Sequence, residues 1–377
     1  MKISSRTVKT DADQWRRLPS PGTNIIGNDI SKDKNDVVPH NLVEKTYARL
    51  NDIYAQDLIA NWAEEAEPAK HVFEDLAIAA FIIELWRSLY GTAPKIESSE
   101  NSCPADFSGF VDMACGNGVL VYVLLMEGYS GLGFDARRRN SWKTFPEPVQ
   151  DRLMEKVFIP KPFIDVLEPK EIGVDAELGN YPKDTFLISN HADELTVWTP
   201  LIAALACPTS PLPFLAIPCC SHSLSGDRFR YPPSETGKYP LPLGQGNNSY
   251  QKQTSIDQNL QPASGDLRAL RLLKQKEKTE EGMFTSMYGS LTAKTMEIAQ
   301  DIGYEVQRFK LQIPSTRDMG ITGRQEENVT NEELQQKTMQ IIRRECENDG
   351  GIEVAAKKWV ERARNVHRGD EEGSTVH

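Results

Sequence analysis

The segment spanning residues 109–118 restricts the possible folds of this chain more than any other. A short apolar run from Phe110 to Met113 leads into Ala-Cys-Gly-Asn-Gly, and a second apolar stretch begins directly after Gly118. Glycines let a backbone approach a ligand closely, and the amino terminus of the helix that follows offers free N–H groups. The segment therefore predicts a strand, a ligand-binding turn and a helix, as in parallel α/β sheets.

Short apolar runs alternate with helical stretches along the following two hundred residues. Candidate strands lie at 109–113, 131–135, 156–159, 185–189 and 213–217, with helical patterns at 117–127 and 196–206. This alternation predicts an α/β fold with a mostly parallel, doubly wound sheet. Residues 304–313 alternate in polarity and are predicted to pair with 318–322 as an edge hairpin.

Changes in composition divide the chain into four predicted regions. They are a polar amino-terminal arm (1–40), a helical extension with a linker (41–107), the α/β domain (108–325), and a carboxyl-terminal helical appendage with a tail (326–377). The second helix of the extension is predicted from Pro68 to Tyr90, with Gly91 as its stop. Residues 221–262 lack periodicity and form a long insertion, which in a compact domain is usually functional or disordered.

Composition and charge exclude several classes of protein. The longest apolar runs have eight residues, whereas a membrane span needs about 20. The amino terminus lacks the apolar core of a secretory signal, so we expect no membrane association and a cytoplasmic location. The net charge of −11 means that any nucleic-acid site must be local. Six cysteines without a CxxC pair predict neither a disulfide framework nor a metal site.

Acidic residues at two strand ends narrow the choice of ligand. Asp112 ends the first candidate strand and Asp135 the second. A dinucleotide site would place a third glycine where Val121 stands, so NAD is disfavoured. The two acids suit S-adenosylmethionine. In enzymes that bind this cofactor, the first acid helps to hold its methionine end, and the second accepts hydrogen bonds from its ribose hydroxyls. The alternative is that the glycines serve only the turn.

At Val111-Asp-Met-Ala-Cys-Gly-Asn-Gly and at Asp135-Ala-Arg-Arg-Arg, the chain resembles the eukaryotic tRNA (uracil-2′-O-)-methyltransferases that act on uridine 44 of serine tRNA. The resemblance covers about residues 60–325. Further motifs that carry it are His71 to Trp86, Asn190-His-Ala-Asp-Glu-Leu-Thr, Phe214 to Cys220 and Ile313-Pro-Ser-Thr-Arg317. One departure is Ala114, which stands where the wider group of methyltransferases has glycine.

The resemblance implies a class I, Rossmann-like methyltransferase that uses S-adenosylmethionine and acts on tRNA, with no indication of a protein partner. The reaction would transfer a methyl group to the ribose 2′-hydroxyl of uridine 44 in serine tRNA. The cofactor-binding residues would be Asp112, Cys115, Gly116, Asn117, Gly118, Asp135 and Asn190.

Candidate catalytic and substrate-binding residues follow the later strands. His191 and Asp193 come after the fourth strand and are candidates for the general base, although an acid there can also simply cap a helix. The candidates for substrate binding are Arg137, Arg139, Cys220 and Arg317. Residues 228–278 carry a local net charge of +5 with interleaved aromatics, which suits either unpaired RNA or a solubilising loop.

Two alternatives remain open on the sequence. One is a methyltransferase with another acceptor, such as rRNA, a protein or a small molecule. The other is an RNA-binding protein that keeps the fold without turnover.

Overall fold

The computed structural model describes residues 38–95, 97, 106–168, 176–207, 209–232, 284, 286–311, 313–315, 317–325 and 330–372. Nearly all of the predicted amino-terminal arm and most of the basic insertion lie outside these residues.

Ten α-helices are described. They are α1 (His40–Leu50), α2 (Gln56–Ala60), α3 (Pro68–Tyr90), α4 (Val119–Met126), α5 (Glu147–Gln150), α6 (Lys161–Ile164), α7 (Leu195–Leu205), α8 (Met287–Ile302), α9 (Asn331–Cys346) and α10 (Ile352–Glu372). A π-helical turn (Asn51–Ala55) joins α1 to α2, and 3₁₀ turns occupy Asn140–Thr144 and Glu347–Asp349. None of the described helices is long and apolar enough to cross a membrane.

Seven of the described strands form one twisted sheet in the order β3-β2-β1-β6-β7-β9-β8. The strands are β1 (Gly109–Met113), β2 (Gly131–Asp135), β3 (Leu153–Glu155), β6 (Thr185–Asn190), β7 (Phe214–Ile217), β8 (Tyr304–Lys310) and β9 (Met319–Gln325). The first five in spatial order run parallel, and β9 and β8 pair antiparallel at one edge. The predicted doubly wound sheet with an edge hairpin is confirmed.

The third strand differs from its prediction. Residues 156–159 were expected in the main sheet, but β3 holds that place, while β4 (Val157–Phe158) pairs with β5 (Ala176–Glu177) in a separate two-stranded sheet. Only Leu153 of β3 is buried, so no apolar run marks this short strand in the sequence.

Helix α3 covers one face of the sheet together with α4. Pro68 occupies its first turn, and Gly91 ends it in the left-handed conformation, where its N–H reaches the carbonyl of Arg87. Its middle is buried on every side, as its uninterrupted apolar sequence predicts, and Trp86 is fully buried against four other aromatic rings from the sheet and its flank. Truncating such a side chain lowers the free energy of unfolding by about 3–5 kcal/mol, so the extension is part of the hydrophobic core.

The carboxyl-terminal helices cover the opposite face. Helix α9 begins with a capping box between Thr330 and Glu333, and Ile342 is fully buried. Trp359 of α10 donates a hydrogen bond from its indole nitrogen to the carbonyl of Phe158 at 2.8 Å. The segment predicted as an appendage therefore completes the second hydrophobic core.

The described start of the insertion, residues 221–232, is packed against this same face. Leu224 and Tyr231 are buried, and the Tyr231 hydroxyl donates to the carbonyl of His222 at 2.9 Å. The remainder of the 228–278 stretch lies outside the described residues.

Candidate active site

The turn after β1 adopts the backbone that glycines favour. Gly116 and Gly118 have φ angles of 53° and 77°, and Ala114 has 59°. A Cβ at Gly118 would come within 3.0 Å of the Trp142 indole, whereas one at Gly116 would meet nothing within 4 Å. Ala114, which stands where other methyltransferases have glycine, thus adopts a left-handed backbone at a cost of about 1–3 kcal/mol. The side of the loop at Gly116 is open to a ligand.

The 3₁₀ turn after β2 holds the carbonyls of this loop. Trp142 donates from its indole nitrogen to the Gly116 carbonyl at 2.9 Å, and the Ser141 hydroxyl donates to the Asn117 carbonyl at 2.7 Å. Glu64, from the amino-terminal extension, accepts from both the amide and the hydroxyl of Ser141 at 2.8 Å. The loop is therefore held by hydrogen bonds between residues that are far apart in sequence. Ser141 and Asn117 are 24 residues apart, and Ser141 and Glu64 are 77 residues apart.

Asp135 joins the ends of β1 and β2. Its carboxylate accepts from the Gly116 amide at 3.0 Å and from the Arg137 amide at 3.1 Å. The Arg139 guanidinium lies 3.7 Å from the same carboxylate, while the Arg137 side chain is exposed. The structure thus places Asp135 beside the glycine loop, with the two candidate arginines at its outer rim.

Three carboxyl groups from separate elements lie close enough to interact electrostatically. Burial, together with the charges of Asp75 and Asp135, raises the pKa of Asp112 well above its usual value, and its Oδ1 has no hydrogen-bond partner among the described residues. Burial also raises the pKa of Asp75 to about 7, although Asn117 donates to it at 3.0 Å. Such a cluster favours a cationic ligand, because a positive charge would stabilise the ionised forms.

Asn117 and Cys115 contribute to the loop in different ways. The side-chain oxygen of Asn117 accepts from the Val119 amide at 2.7 Å and so satisfies an amide in the first turn of α4. The Cys115 thiol is buried near Gly133 of β2, and burial raises its pKa well above the usual value. Cys115 can therefore offer a ligand only its backbone, whereas sequence reasoning left the contacting atoms open.

The end of β6 presents strained residues and buried polar atoms. His191 and Asp193 have φ angles of 51° and 43°, which few residues other than glycine adopt. The Asn190 side-chain oxygen and the His191 Nδ1 are buried without a partner among the described residues. Strain of this kind is retained mainly where function requires it.

Glu74 of α3 pairs with His191, a contact that sequence reasoning missed. The His191 Nε2 and Glu74 Oε1 lie 3.2 Å apart. Burial alone would raise the pKa of Glu74, but hydrogen bonds from His191 and Ser315 outweigh it and lower that pKa. The only signal available in the sequence was two adjacent acids, Glu74 and Asp75, at the start of an apolar helix.

The end of β7 brings the remaining candidates to the same edge. The Cys219 thiol donates to Asp193 at 3.0 Å, and Cys220 beside it is exposed. Burial and the charge of Asp193 raise the pKa of both thiols. The Arg317 guanidinium lies 4.6 Å from the ring centre of Tyr288 and interacts electrostatically with Cys220. The sheet therefore brings residues 190–193, 219–220 and 317 together at the carboxyl ends of its parallel strands.

The strand order and this edge define a class I, Rossmann-like methyltransferase fold. The switch point of the sheet lies between β1 and β6, where the order reverses and where ligands of such sheets bind. The buried, unpartnered oxygens of Asp112 and Asn190 and the open side of Gly116 fit S-adenosylmethionine, which carries both an ammonium and a sulfonium charge.

Comparison with known proteins supports this class and narrows it. A family described as "Predicted AdoMet-dependent methyltransferase" matches residues 37–160, and that family implies S-adenosylmethionine as the cofactor. A protein named tRNA (uracil-O(2)-)-methyltransferase from Aspergillus oryzae is 50% identical over 92% of this chain. Proteins of the same name from Neurospora crassa and Schizosaccharomyces pombe are 40% and 36% identical, each over 76% of the chain. The chain is therefore homologous to these fungal proteins, and the family resemblance in its motifs is confirmed.

The chain spans about half the length of these relatives. It covers 58%, 47% and 48% of the Aspergillus, Neurospora and Schizosaccharomyces proteins, respectively. No solved structure gives a significant match.

Proposed function

We propose that this protein transfers a methyl group from S-adenosylmethionine to the ribose 2′-hydroxyl of a uridine in tRNA, namely uridine 44 of serine tRNA. The observation that carries the proposal is the 50% identity, over 92% of the chain, to a protein named tRNA (uracil-O(2)-)-methyltransferase. The narrower choice of nucleotide rests on the motifs at Asp135, Asn190 and Ile313. A cytoplasmic location is part of the proposal, and microscopy of the tagged protein tests it.

The ends of β1 and β2 bind the cofactor in this proposal. Asp135 accepts hydrogen bonds from the ribose hydroxyls, while Asp112 faces the positive charge of the methionine end. Gly116, Gly118 and the backbone of Cys115 admit the cofactor to the loop. Asn117 donates to Asp75 and accepts from the Val119 amide, which ties the loop to α3 and to the start of α4. Bound S-adenosylmethionine supplies a methyl carbon already activated by the adjacent sulfonium.

The end of β6 positions the acceptor and takes its proton. A ribose hydroxyl is a weak nucleophile unless a base removes its proton during attack, and most of the remaining acceleration comes from alignment. The Glu74 carboxylate lies 3.2 Å from Nε2 of His191, and in the tautomer whose Nε2–H donates to that carboxylate the lone pair is on Nδ1. His191 is therefore our first choice as base, with Asp193 as the second and Asn190 beside the methyl group.

Arginines at the rim hold the tRNA backbone. Arg137 and Arg139 follow β2, whereas Arg317 precedes β9 and Cys220 follows β7, on the other side of the switch point in the strand order. Phosphates on either side of the acceptor can then be contacted. Position 44 joins the anticodon stem to the long variable arm of serine tRNA. Contacts to backbone phosphates can therefore position this nucleotide with few contacts to bases. Replacing Arg317 with alanine should reduce the dependence of log K on log salt by about one phosphate contact.

The test compares nucleotides in matched serine tRNAs. Recombinant protein and labelled S-adenosylmethionine are incubated with a serine tRNA transcript or with the same RNA carrying 2′-deoxyuridine at position 44. We expect labelling of the first RNA only, and mass spectrometry of tRNA from cells lacking the protein should show uridine 44 without its methyl group. Equal labelling of both RNAs, or a fully methylated uridine 44 in those cells, would contradict the assignment.

A further inference from the structure

Three side chains at the ends of β6 and β7 have the composition of a metal site. Asp193, Cys219 and Cys220 each offer one ligand atom, and these atoms all lie within 4.8 Å of one another. The sequence does not show that these residues are close, because Asp193 follows β6 whereas Cys219, 26 residues later, follows β7. Parallel pairing of β6 with β7 brings them together.

The spacing of these atoms suits a tetrahedral cation. With zinc–sulfur and zinc–oxygen bonds of about 2.3 Å and 2.0–2.2 Å, tetrahedral geometry separates ligand atoms by about 3.6–3.8 Å. The present Cys219–Asp193 contact of 3.0 Å would lengthen by about half an ångström as the cation replaces the thiol proton. Two thiolates select a thiophilic cation over magnesium or calcium, which prefer oxygen ligands.

We propose that Asp193, Cys219 and Cys220 bind a zinc ion through three protein ligands. Zinc sites with three protein ligands keep a fourth position for water or substrate. Asp193 and Cys220 are exposed, so a small molecule or a ribose can reach this fourth position from solvent.

The position of this cation gives it a role in the proposed reaction, and this part of the inference rests on the proposed function. An acceptor ribose oxygen in the fourth position becomes more acidic, because a bound cation stabilises the alkoxide. The oxygen forms a bond to the methyl carbon as its proton passes to water, and the carbon–sulfur bond breaks with its electron pair on sulfur. Asp193 is then a metal ligand and no longer a candidate base.

The test measures zinc in the purified, full-length chain by mass spectrometry of the metal. Structural and catalytic zinc sites retain the ion through purification, so we expect about one zinc per chain. The variants Cys219→Ser, Cys220→Ser and Asp193→Asn should each retain less than about a tenth of it. Cys207→Ser is the matched control, since Cys207 lies at the far end of α7 beside Thr209, and this variant should keep its zinc.

A second measurement covers variants that fold poorly. Wild-type protein with bound zinc should resist alkylation at Cys219 and Cys220, as read by peptide mass spectrometry, and a chelator should expose both thiols. Zinc that is absent from the wild type, or that persists in all three variants, overturns the proposal. Binding of labelled S-adenosylmethionine is measured separately on the same samples. A sample that binds zinc but not this cofactor would contradict the proposed function and leave the zinc site in place.

Discussion

The ends of β1 and β2 differ from the ends of β6 and β7 in how they are built. The first pair of strand ends forms a buried cradle in which Asp112 and Asp135 flank a glycine loop closed by short hydrogen bonds. The second pair leaves Asp193 and Cys220 exposed, and its central His191 is held by Glu74, which is 117 residues away in sequence. Both pairs of strand ends therefore rely on contacts with the amino-terminal extension. The backbone beside β1 is a single continuous glycine loop, whereas the ends of β6 and β7 combine side chains from three separate segments.

The sharpest way to separate the two sides is to remove the candidate base. His191→Ala should lower turnover about 10²–10⁴-fold while leaving the affinity for S-adenosylmethionine nearly unchanged. Single-turnover kinetics with saturating RNA and calorimetry with the cofactor measure the two effects. His40→Ala is the matched control, because His40 also pairs with a glutamate, Glu44, but on the surface. Wild-type turnover in His191→Ala would show that the residue is only structural.

Removing Asp135 should affect the opposite side. Asp135→Ala should weaken cofactor binding roughly 10- to 150-fold, since each charge-assisted hydrogen bond is worth about 1.5–3 kcal/mol. Calorimetry on the folded variant measures this effect, and Asp165→Ala, which removes an exposed carboxylate paired with Lys161, is the control. An unchanged affinity would rule out Asp135 as the ribose ligand.

A milder change tests whether the extension positions the base. Glu74→Gln keeps the shape of the side chain but removes its charge, so turnover should fall about 3- to 10-fold, the equivalent of losing the charge assistance of one hydrogen bond. The cofactor KM should stay constant, whereas general loosening of α3 would change both values. Glu44→Gln alters the corresponding surface pair and should leave both values unchanged.

A further effect concerns Asp75 and appears in the pH dependence of stability rather than in turnover or affinity. Its pKa is raised from 3.8 to about 7 in the folded protein, so the folded state binds the proton more tightly than the unfolded state does. Stability should therefore decline as pH rises from about 4 to about 7, on the order of a few kcal/mol.

Asp75→Asn should flatten this decline, and urea unfolding of both proteins at several pH values measures it. Asp57→Asn, which changes an exposed acid on α2, should leave the slope as it is. An identical slope in wild type and Asp75→Asn would mean that Asp75 is ionised in the folded protein throughout this range.

The sequence alone predicted most of the main sheet and the glycine loop after β1. Alternating apolar runs predicted four of the five parallel strands, and strand-end acids with two glycines predicted the loop, because these features depend on neighbours a few residues apart. The third strand was misplaced, since a strand of three residues with only one of them buried carries no apolar pattern. Packing of the carboxyl-terminal helices into the second core was also absent from the sequence prediction.

Only the tertiary structure decided how the residues at the ends of β6 and β7 come together. Sequence reasoning found His191, Asp193 and Cys220 as separate candidates, but nothing in their spacing showed that Asp193 meets the cysteines or that Glu74 meets His191. Such contacts depend on which strands are neighbours and on where α3 crosses the sheet. Both are set by burial of apolar faces distributed over the whole chain, and a local pattern cannot record them.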